Sequence, residues 1–460
     1  MLLAPDELTE IALGASKADG CLVLLTDTSE ATLRWANSTM TTNGHTTSRR
    51  FTVISVVGGS VGVVAGTGTG ADEVRAVVAT SEEAARQSGP ARDVAPLVEP
   101  AAAGGIDAGF TEPAAGTSID VFRRLAGELA DAFDTARRDG RLLYGFAEHR
   151  VETTWLASST GLRRRWVQPG GTVELNGKVA DDLARSAWAG AYTADFTDVD
   201  LGALAAEVHR RLAWSARQLE LPAGRYETVL PPSAVADLMI NLAASMDGRP
   251  AHEGRSAFAA PGGTRLGERL TDLPLTLATD PAAPGLATEP FLTTTASGDA
   301  VSVFDNGAPL ERVDWLRDGV VHALAYPRAA AAELGATFTA PPANLLLEGG
   351  SGASTEDLVA STERGLLLTC LWYIREVDPT SLLLTGLTRD GVYLVERGEV
   401  VGQVNNFRFN ESPLDLVRRA TEVGATGRAV GREWKDWFPR TAMPPVRVPD
   451  FAMSSVSRAS

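Results

Sequence analysis

The stretch NLLLEGGSGASTEDLVASTERGLLLTCLWYIREVDPTSLLLTGLTRDGVYLVERGEVVGQVNNFRFNES, residues 344–412, decides the reading of the fold. β-rich blocks at 365–373, 381–387, 391–396 and 399–404 alternate with tight turns. Arg389-Asp390-Gly391 and Glu396-Arg397-Gly398 supply glycine-bearing turns of the kind consecutive hairpins use. The pattern is that of sheet, with few chemically reactive side chains in it.

Working outward, the chain divides into three blocks. The first holds a helix at 5–17, strands at 21–27, 31–37, 50–57 and 60–66 with Asn43-Gly44 as a turn, and a helix at 70–88. Residues 89–117 are rich in Ala, Gly and Pro and read as a linker or a poorly packed connection. The second block opens at Ser118, a suitable N-cap. A helix follows whose Val121, Phe122, Leu125, Leu129 and Phe133 recur at helical spacing, then strands at 142–158 and 161–175 and a helix at 198–219. Leu221-Pro222-Ala223-Gly224 ends this block. In the third, a strand at 225–230 precedes a helix capped by Ser233, with Val235, Leu238, Met239 and Leu242 as its apolar stripe. The remainder reads as β with short helices near 329–334, 355–363 and 413–421.

Composition narrows the function. A length of 460 residues implies more than one domain, and a net charge of −16 excludes a phosphate-neutralising nucleic-acid surface. Cys21 and Cys370 are the only cysteines, so neither a disulfide framework nor a cysteine metal cluster is available. The opening MLLAPDELTE lacks the basic and apolar regions of a signal peptide, and no apolar run is long enough to span a bilayer. The expectation is a cytoplasmic protein without a membrane partner.

The motifs are weak taken singly. Gly66-Thr67-Gly68-Thr69-Gly70 lacks dinucleotide-loop spacing, and Gly177-Lys178-Val179 offers no hydroxyl for magnesium. Gly349-Gly350-Ser351-Gly352 resembles a nucleophile elbow without its closing glycine, and a helix cap at Ser354 or Thr355 explains the segment more simply. A zinc protease needs two histidines on one helix face beside a glutamate that activates water. His252-Glu253 is the one His-Glu pair, it stands beyond Pro250 in a loop, and no second histidine follows at the required spacing. His149 and Glu152, three apart on a strand, point to opposite faces and cannot share an ion.

Taken in order, several segments resemble the TldD/PmbA family. They are Arg34-Trp35-Ala36-Asn37 with Asn43-Gly44, Asp305-Asn306-Gly307-Ala308-Pro309, Asn344 with Gly349-Gly350-Ser351, Thr385-Gly386, Glu396-Arg397-Gly398-Glu399 and the closing Pro445-Val446-Arg447-Val448-Pro449-Asp450-Phe451. The resemblance implies an α+β fold with an N-terminal α/β domain at 1–100, a central α+β domain at 110–222 and a large β-rich C-terminal domain at 223–460. In the family's catalytic subunit, a helix after the first strand of the C-terminal domain carries H-E-x-x-x-H. Here Ile240, Asn241 and Ser245 stand at those positions, and no cysteine stands near 430–433, where the family has a late ligand. Isoleucine cannot bind zinc, and an asparagine amide cannot serve as a general base.

The resemblance therefore implies the TldE (PmbA) type of subunit, with no metal in this chain and zinc in a TldD-like partner carrying H-E-x-x-x-H. The substrate would be an unfolded peptide or a peptide-derived natural product. A tailoring enzyme for a small amide-bearing metabolite and a non-enzymatic homodimeric binding protein are the alternatives. Arg34, His252, Glu253, Arg255 and Trp372 are the substrate-groove candidates by polarity and position, and no residue is assigned a catalytic role.

Overall fold

The computed structural model describes residues 3–67, 70–104 and 106–457; Gly68 and Thr69 of the glycine-rich Gly66–Gly70 segment lie outside them. The first half is built on one antiparallel six-stranded sheet. Its strands are β1 (Gly20–Ala36), β2 (Thr39–Val57), β3 (Ser60–Gly66), β4 (Arg141–Ser158), β5 (Arg163–Val179) and β6 (Asp182–Thr193), in the order β3-β2-β1-β4-β5-β6. The sheet thus runs without a break through the first two sequence blocks.

The two strands expected at 21–27 and 31–37 are one long strand, and the expected Asn43-Gly44 turn lies inside β2, paired with Thr32 and Leu33. The chain reverses at Asn37 and Ser38, both with positive φ (50° and 54°), as a two-residue primed turn requires. Tertiary contacts select that turn. Ser38 is fully buried; its N–H donates to the Leu143 carbonyl (2.9 Å) and its Oγ accepts from the Leu143 N–H (3.0 Å). A favourable Asn-Gly pair does not outweigh the seventeen residue pairs of the β1–β2 ladder that contains it.

Helices α1 (Pro5–Ala15) and α2 (Ala71–Gln87) cover one face of β1–β3 and bury Leu8, Val74 and Val78 against Val23, Leu25 and Phe51. Helices α3 (Arg123–Arg138) and α4 (Leu201–Trp214) cover the same sheet further along. Leu22, Leu24 and Leu156 point to the opposite face and meet Phe291, Val303 and Phe304 of the C-terminal half. Segment 89–117 is packed, contrary to expectation. Val98, Ala103 and Phe110 are buried, the Trp155 indole donates to the Phe110 carbonyl (2.9 Å), and Asp107 accepts from Arg164 (3.1 Å).

The second half carries a ten-stranded sheet. Its main strands are β7 (Gly224–Leu230), β8 (Arg364–Leu368), β9 (Leu371–Asp378), β10 (Leu383–Thr388), β11 (Val392–Glu396), β12 (Glu399–Val404), β13 (Phe407–Glu411) and β14 (Val446–Val456). They run β9-β10-β13-β14-β7-β8-β11-β12, with Gln218–Leu219 at the end of the row. Arg397 and Gly398 form the expected hairpin turn between β11 and β12. The Arg389–Gly391 turn joins no hairpin: β10 pairs with β9 and β13, while β11 pairs with β8 and β12. The single strand expected at 365–373 is split between β8 and β9, which lie far apart in the row.

Helix α5 (Pro232–Ala244) is capped at Pro231, and the Ser233 hydroxyl instead reaches the Thr369 carbonyl (3.5 Å). It is apolar nearly all round and packs in one core with the large sheet and with a six-stranded sheet that includes Leu345–Glu348 and Thr441–Met443. Among the described residues, no helix is long and apolar enough to cross a membrane.

Candidate functional site

One carboxylate holds α5 to the loop that follows Val430. Asp237, fully buried in mid-helix, accepts backbone N–H bonds from Glu433 (3.0 Å), Arg432 (3.1 Å) and Trp434 (3.3 Å). Burial pushes its carboxyl well above the usual carboxylate range, and the three N–H groups pull against that shift. Gly431 passes so close that a Cβ there would sit 2.5 Å from the Asp237 Oδ1. An acidic residue inside the run Ala234–Leu242 was the signal available in the sequence, and the apolar stripe obscured it.

The residues that the family resemblance sets against the metal motif lie on this helix and at its C-cap. Ile240 is buried among apolar neighbours, the Asn241 amide donates to the Asp237 carbonyl (2.8 Å), and the Ser245 hydroxyl donates to the Leu242 carbonyl (2.7 Å). Zinc requires lone pairs on nitrogen, sulfur or carboxylate oxygen converging on one point. The side chains present do not fit that ion, and among the described residues no three His, Cys, Asp or Glu side chains are placed to hold one.

The same loop brings a cation of its own. The buried Arg432 guanidinium pairs with Asp390, lies 3.1 Å from the Cys370 sulfur and stacks over Trp372 (4.7 Å) and Trp188 (5.6 Å). Burial opposes its charge, but Cys370 and Asp390 outweigh burial and hold its pKa above the ordinary arginine value. Burial raises the Cys370 thiol to about 11, so it stays protonated at neutral pH. Asp390 also accepts from Ser186 of β6, so the cluster fastens the two halves of the chain together.

Beyond Arg432 the loop crosses the open face of the first sheet and roofs a groove of about 440 Å³. Its lining takes Glu30, Glu148, Arg150 and Glu152 from the sheet, and Gly170 and Gly171 beside them are buried beneath Tyr192, Arg440 and Phe196. Lys435 stacks on Phe146 (5.4 Å), and Arg440 donates to the Tyr192 hydroxyl (2.9 Å). Glu30 stands opposite Arg150 in the β1–β4 register, and Glu148 is pushed above its ordinary value by burial and then by Glu30. Trp437, 82% exposed, stands at the rim. Such a groove, lined by acidic and basic side chains, can take an extended polar chain.

The structure disperses the five groove candidates. Arg34 lies on β1 beside this groove, over Phe146 at 5.7 Å. Trp372 lies under Arg432, with its indole N–H buried and unpartnered. Glu253 and Arg255 line a separate cavity of about 780 Å³ between β3 and the C-terminal half. His252 ends the five-residue helix Gly248–His252 rather than lying in a loop, and its ring meets Tyr326 at 6.0 Å. Glu253 is paired with Arg255 (2.5 Å), which also reaches Asp299 (3.4 Å), an ordinary surface ion network. The Ser351 hydroxyl donates to the Val423 carbonyl (3.0 Å), and Ser354 caps the Thr355–Ala360 helix with Asp357 as its reciprocal partner.

Fold and site together define an α+β chain whose central helix is locked to a groove-roofing loop. Residues 21–85, 111–216 and 223–455 match the family models for PmbA/TldA metallopeptidase domain 1, central domain and C-terminal domain. The chain belongs to the PmbA/TldD family. Among solved structures, TldE from Thermococcus kodakarensis superposes with a TM-score of 0.79 at 15% identity, over 98% of this chain and 99% of that one. A candidate modulator of DNA gyrase from Thermotoga maritima gives 0.74 at 16% identity, over 97% and 99%. A similar protein from Bacteroides thetaiotaomicron gives 0.75 at 14% identity, over 98% of both. At these identities the likeness speaks to the fold. No curated protein sequence matches the chain.

Proposed function

We propose that this chain is the non-metal, TldE-like subunit of a TldD/TldE-type zinc metallopeptidase that processes unfolded peptides or peptide-derived natural products. The observation that carries the reading is the chemistry of α5. Where the resemblance puts the catalytic subunit's motif, Ile240 is apolar, the Asn241 amide N–H donates to the Asp237 carbonyl and the Ser245 hydroxyl donates to the Leu242 carbonyl. The nearby carboxylate, Asp237, is occupied by three backbone N–H groups. Metal and water activation would belong to the partner, and this chain would supply a wall of the chamber. The groove beneath 435–440 suits that task, since a lining of acidic and basic side chains can pair with the polar groups of an extended chain with little demand on its sequence.

The test is co-expression with a homologue carrying H-E-x-x-x-H, followed by zinc analysis and peptidase assay of each chain and of the pair. Zinc and activity are expected with the pair, and neither with this chain alone. Stoichiometric, tightly held zinc in this chain alone would refute the reading.

A further inference from the structure

The turn that follows α2 carries two charged residues, and backbone bonds fix where they stand. The Ala91 N–H donates to the Gly59 carbonyl (3.0 Å), which sets Arg92 and Asp93 beside β3, in the wall of the cavity of about 780 Å³ between that strand and the C-terminal half. On the C-terminal side the loop 296–303 is held in shape by its own bonds. The Ser297 hydroxyl accepts from the Val303 N–H (3.1 Å), and the Gly298 N–H donates to the Val301 carbonyl (2.8 Å). Val61, Ala91, Val303, Pro327 and Ala330 give the cavity an apolar lining. Its volume, and its place at a junction between two parts of the chain, are those of a small-molecule site.

Charge in this cavity does not balance. Arg92, Arg249 and Arg255 face Asp93, Glu253, Asp299 and Glu333, three cations against four carboxylates, which leaves one negative charge in excess. Arg249 pairs with Glu333 (2.5 Å), and Arg255 pairs with Glu253 (2.5 Å) and Asp299 (3.4 Å). The exposed Arg92 acts on Glu333, whose carboxyl is held below its ordinary value by the bond from Arg249 and then by Arg92. Asp93 is left over. Among the described residues its carboxylate accepts no hydrogen bond and enters no ion pair, and its Oδ2 is sealed from solvent while Oδ1 remains accessible. Neighbouring Asp305 feels the Asp93 charge, but Asp305 has two bonds from Arg328 (2.7 and 3.0 Å) and Asp93 has nothing comparable. A desolvated oxygen without a donor costs stability and calls for a partner from outside the fold. An anion would add to the excess negative charge, and a neutral guest would leave Asp93 unpaired. Among the described residues no three His, Cys, Asp or Glu side chains are placed to hold a metal. A cation with an apolar body satisfies both the carboxylate and the hydrocarbon lining.

We propose that this cavity binds a small apolar amine, its ammonium on Asp93 and its hydrocarbon against Val61, Val303 and Ala330. The inference does not rest on the TldD-like partner, because this chain alone supplies every wall. The walls come from both halves of the chain, so a bound amine braces them and raises the melting temperature. The test is calorimetric titration of the full chain in phosphate buffer with hexylamine, and with hexanol and hexanoate as probes of equal length. Hexylamine is expected to bind saturably at one site, with hexanol and hexanoate weaker by at least about tenfold, the worth of a charge-assisted hydrogen bond. Asp93→Asn, which keeps the shape and removes the charge, is expected to bring hexylamine down to the affinity of hexanol. The same variant without ligand is expected to melt no lower than wild type, since no donor in the fold serves that carboxylate. Ala329→Leu, which narrows the cavity and leaves its charges alone, is expected to weaken hexylamine and hexanol alike. Absence of saturable hexylamine binding would overturn the proposal, as would hexanol binding as tightly as hexylamine. Hexylamine affinity unmoved by Asp93→Asn would do the same, and a lower melting temperature for that variant would assign the carboxylate to the fold instead.

Discussion

Replacing Asp237 tests the junction on which the site depends. Its two oxygens accept three backbone N–H groups, at 3.0 and 3.3 Å on Oδ1 and 3.1 Å on Oδ2. Asn can keep the two bonds on one oxygen, but its amide nitrogen then opposes the N–H of Arg432. One buried donor left unpaired costs about 1–3 kcal/mol, so Asp237→Asn should lose about that much stability. Asp237→Ala strands all three donors. Partial hydration of the freed loop keeps the cost below three times the single value, at about 3–5 kcal/mol. Urea unfolding gives the totals, and hydrogen exchange at residues 430–434 shows where the loss falls. Protection should drop in the loop well before it drops in β1 or β4. If Asp237→Asn stays within about 0.5 kcal/mol of wild type and loop exchange is unchanged, the claim that this carboxylate fixes the loop is refuted.

Other perturbations follow from the same geometry. Gly431→Ala, which drives a Cβ to 2.5 Å from the Asp237 oxygen, should give the loop phenotype of Asp237→Asn by thermal unfolding and exchange. Arg432→Met leaves the buried Asp390 without its cation and should cost about 3–5 kcal/mol in urea unfolding, much of it recovered in a double variant with Asp390→Asn. Glu289, with one oxygen accepting from Thr293 (2.6 Å) and the other unpartnered, is raised by burial from 4.5 to about 7. Its folded pKa exceeds its unfolded one, so the folded state holds the proton longer. Stability from this group is therefore full below about pH 4.5 and falls by up to about 3 kcal/mol as pH rises to about 7. Glu289→Gln should flatten that slope in denaturation curves compared across the window. Ser351→Ala should leave the activity of the assembled complex unchanged in the peptidase assay, because its hydroxyl serves the Val423 carbonyl.

Much of the fold was legible because periodicity survives where burial is one-sided. Helices α1, α2 and α3 show their stripes plainly, and Glu399–Val404 was read to the residue. Legibility failed where tertiary contacts overrode local preference. Asn43-Gly44 favours a turn, yet it is held extended inside β2, while a fully buried Ser38 makes the reversal. β6 does not show in the sequence because its first three residues are exposed and Ser186–Ala189 are buried in an unbroken run, which spoils alternation. The crossover at Asp390 shows a further limit: a glycine-bearing turn marks where a chain bends, but pairing in the sheet decides where it goes.

The sequence shows which side chains stand at 240, 241 and 245 but not what their helix is fastened to. Ile240, Asn241 and Ser245 can be judged one at a time, since ligand ability belongs to a side chain. Asp237, Asp390 and Arg432 act only together, and 153 residues separate the first of them from the second (390 − 237). Nothing in their spacing announces that a buried carboxylate, a crossover turn and a guanidinium converge. The physical consequence is that a loop positioned by backbone bonds and by one internal ion pair needs no metal to hold its shape. Its order should therefore survive a chelator. Hydrogen exchange at 430–434 is expected to be identical with and without chelating agent, and loss of protection on chelation would show that the loop depends on an ion after all.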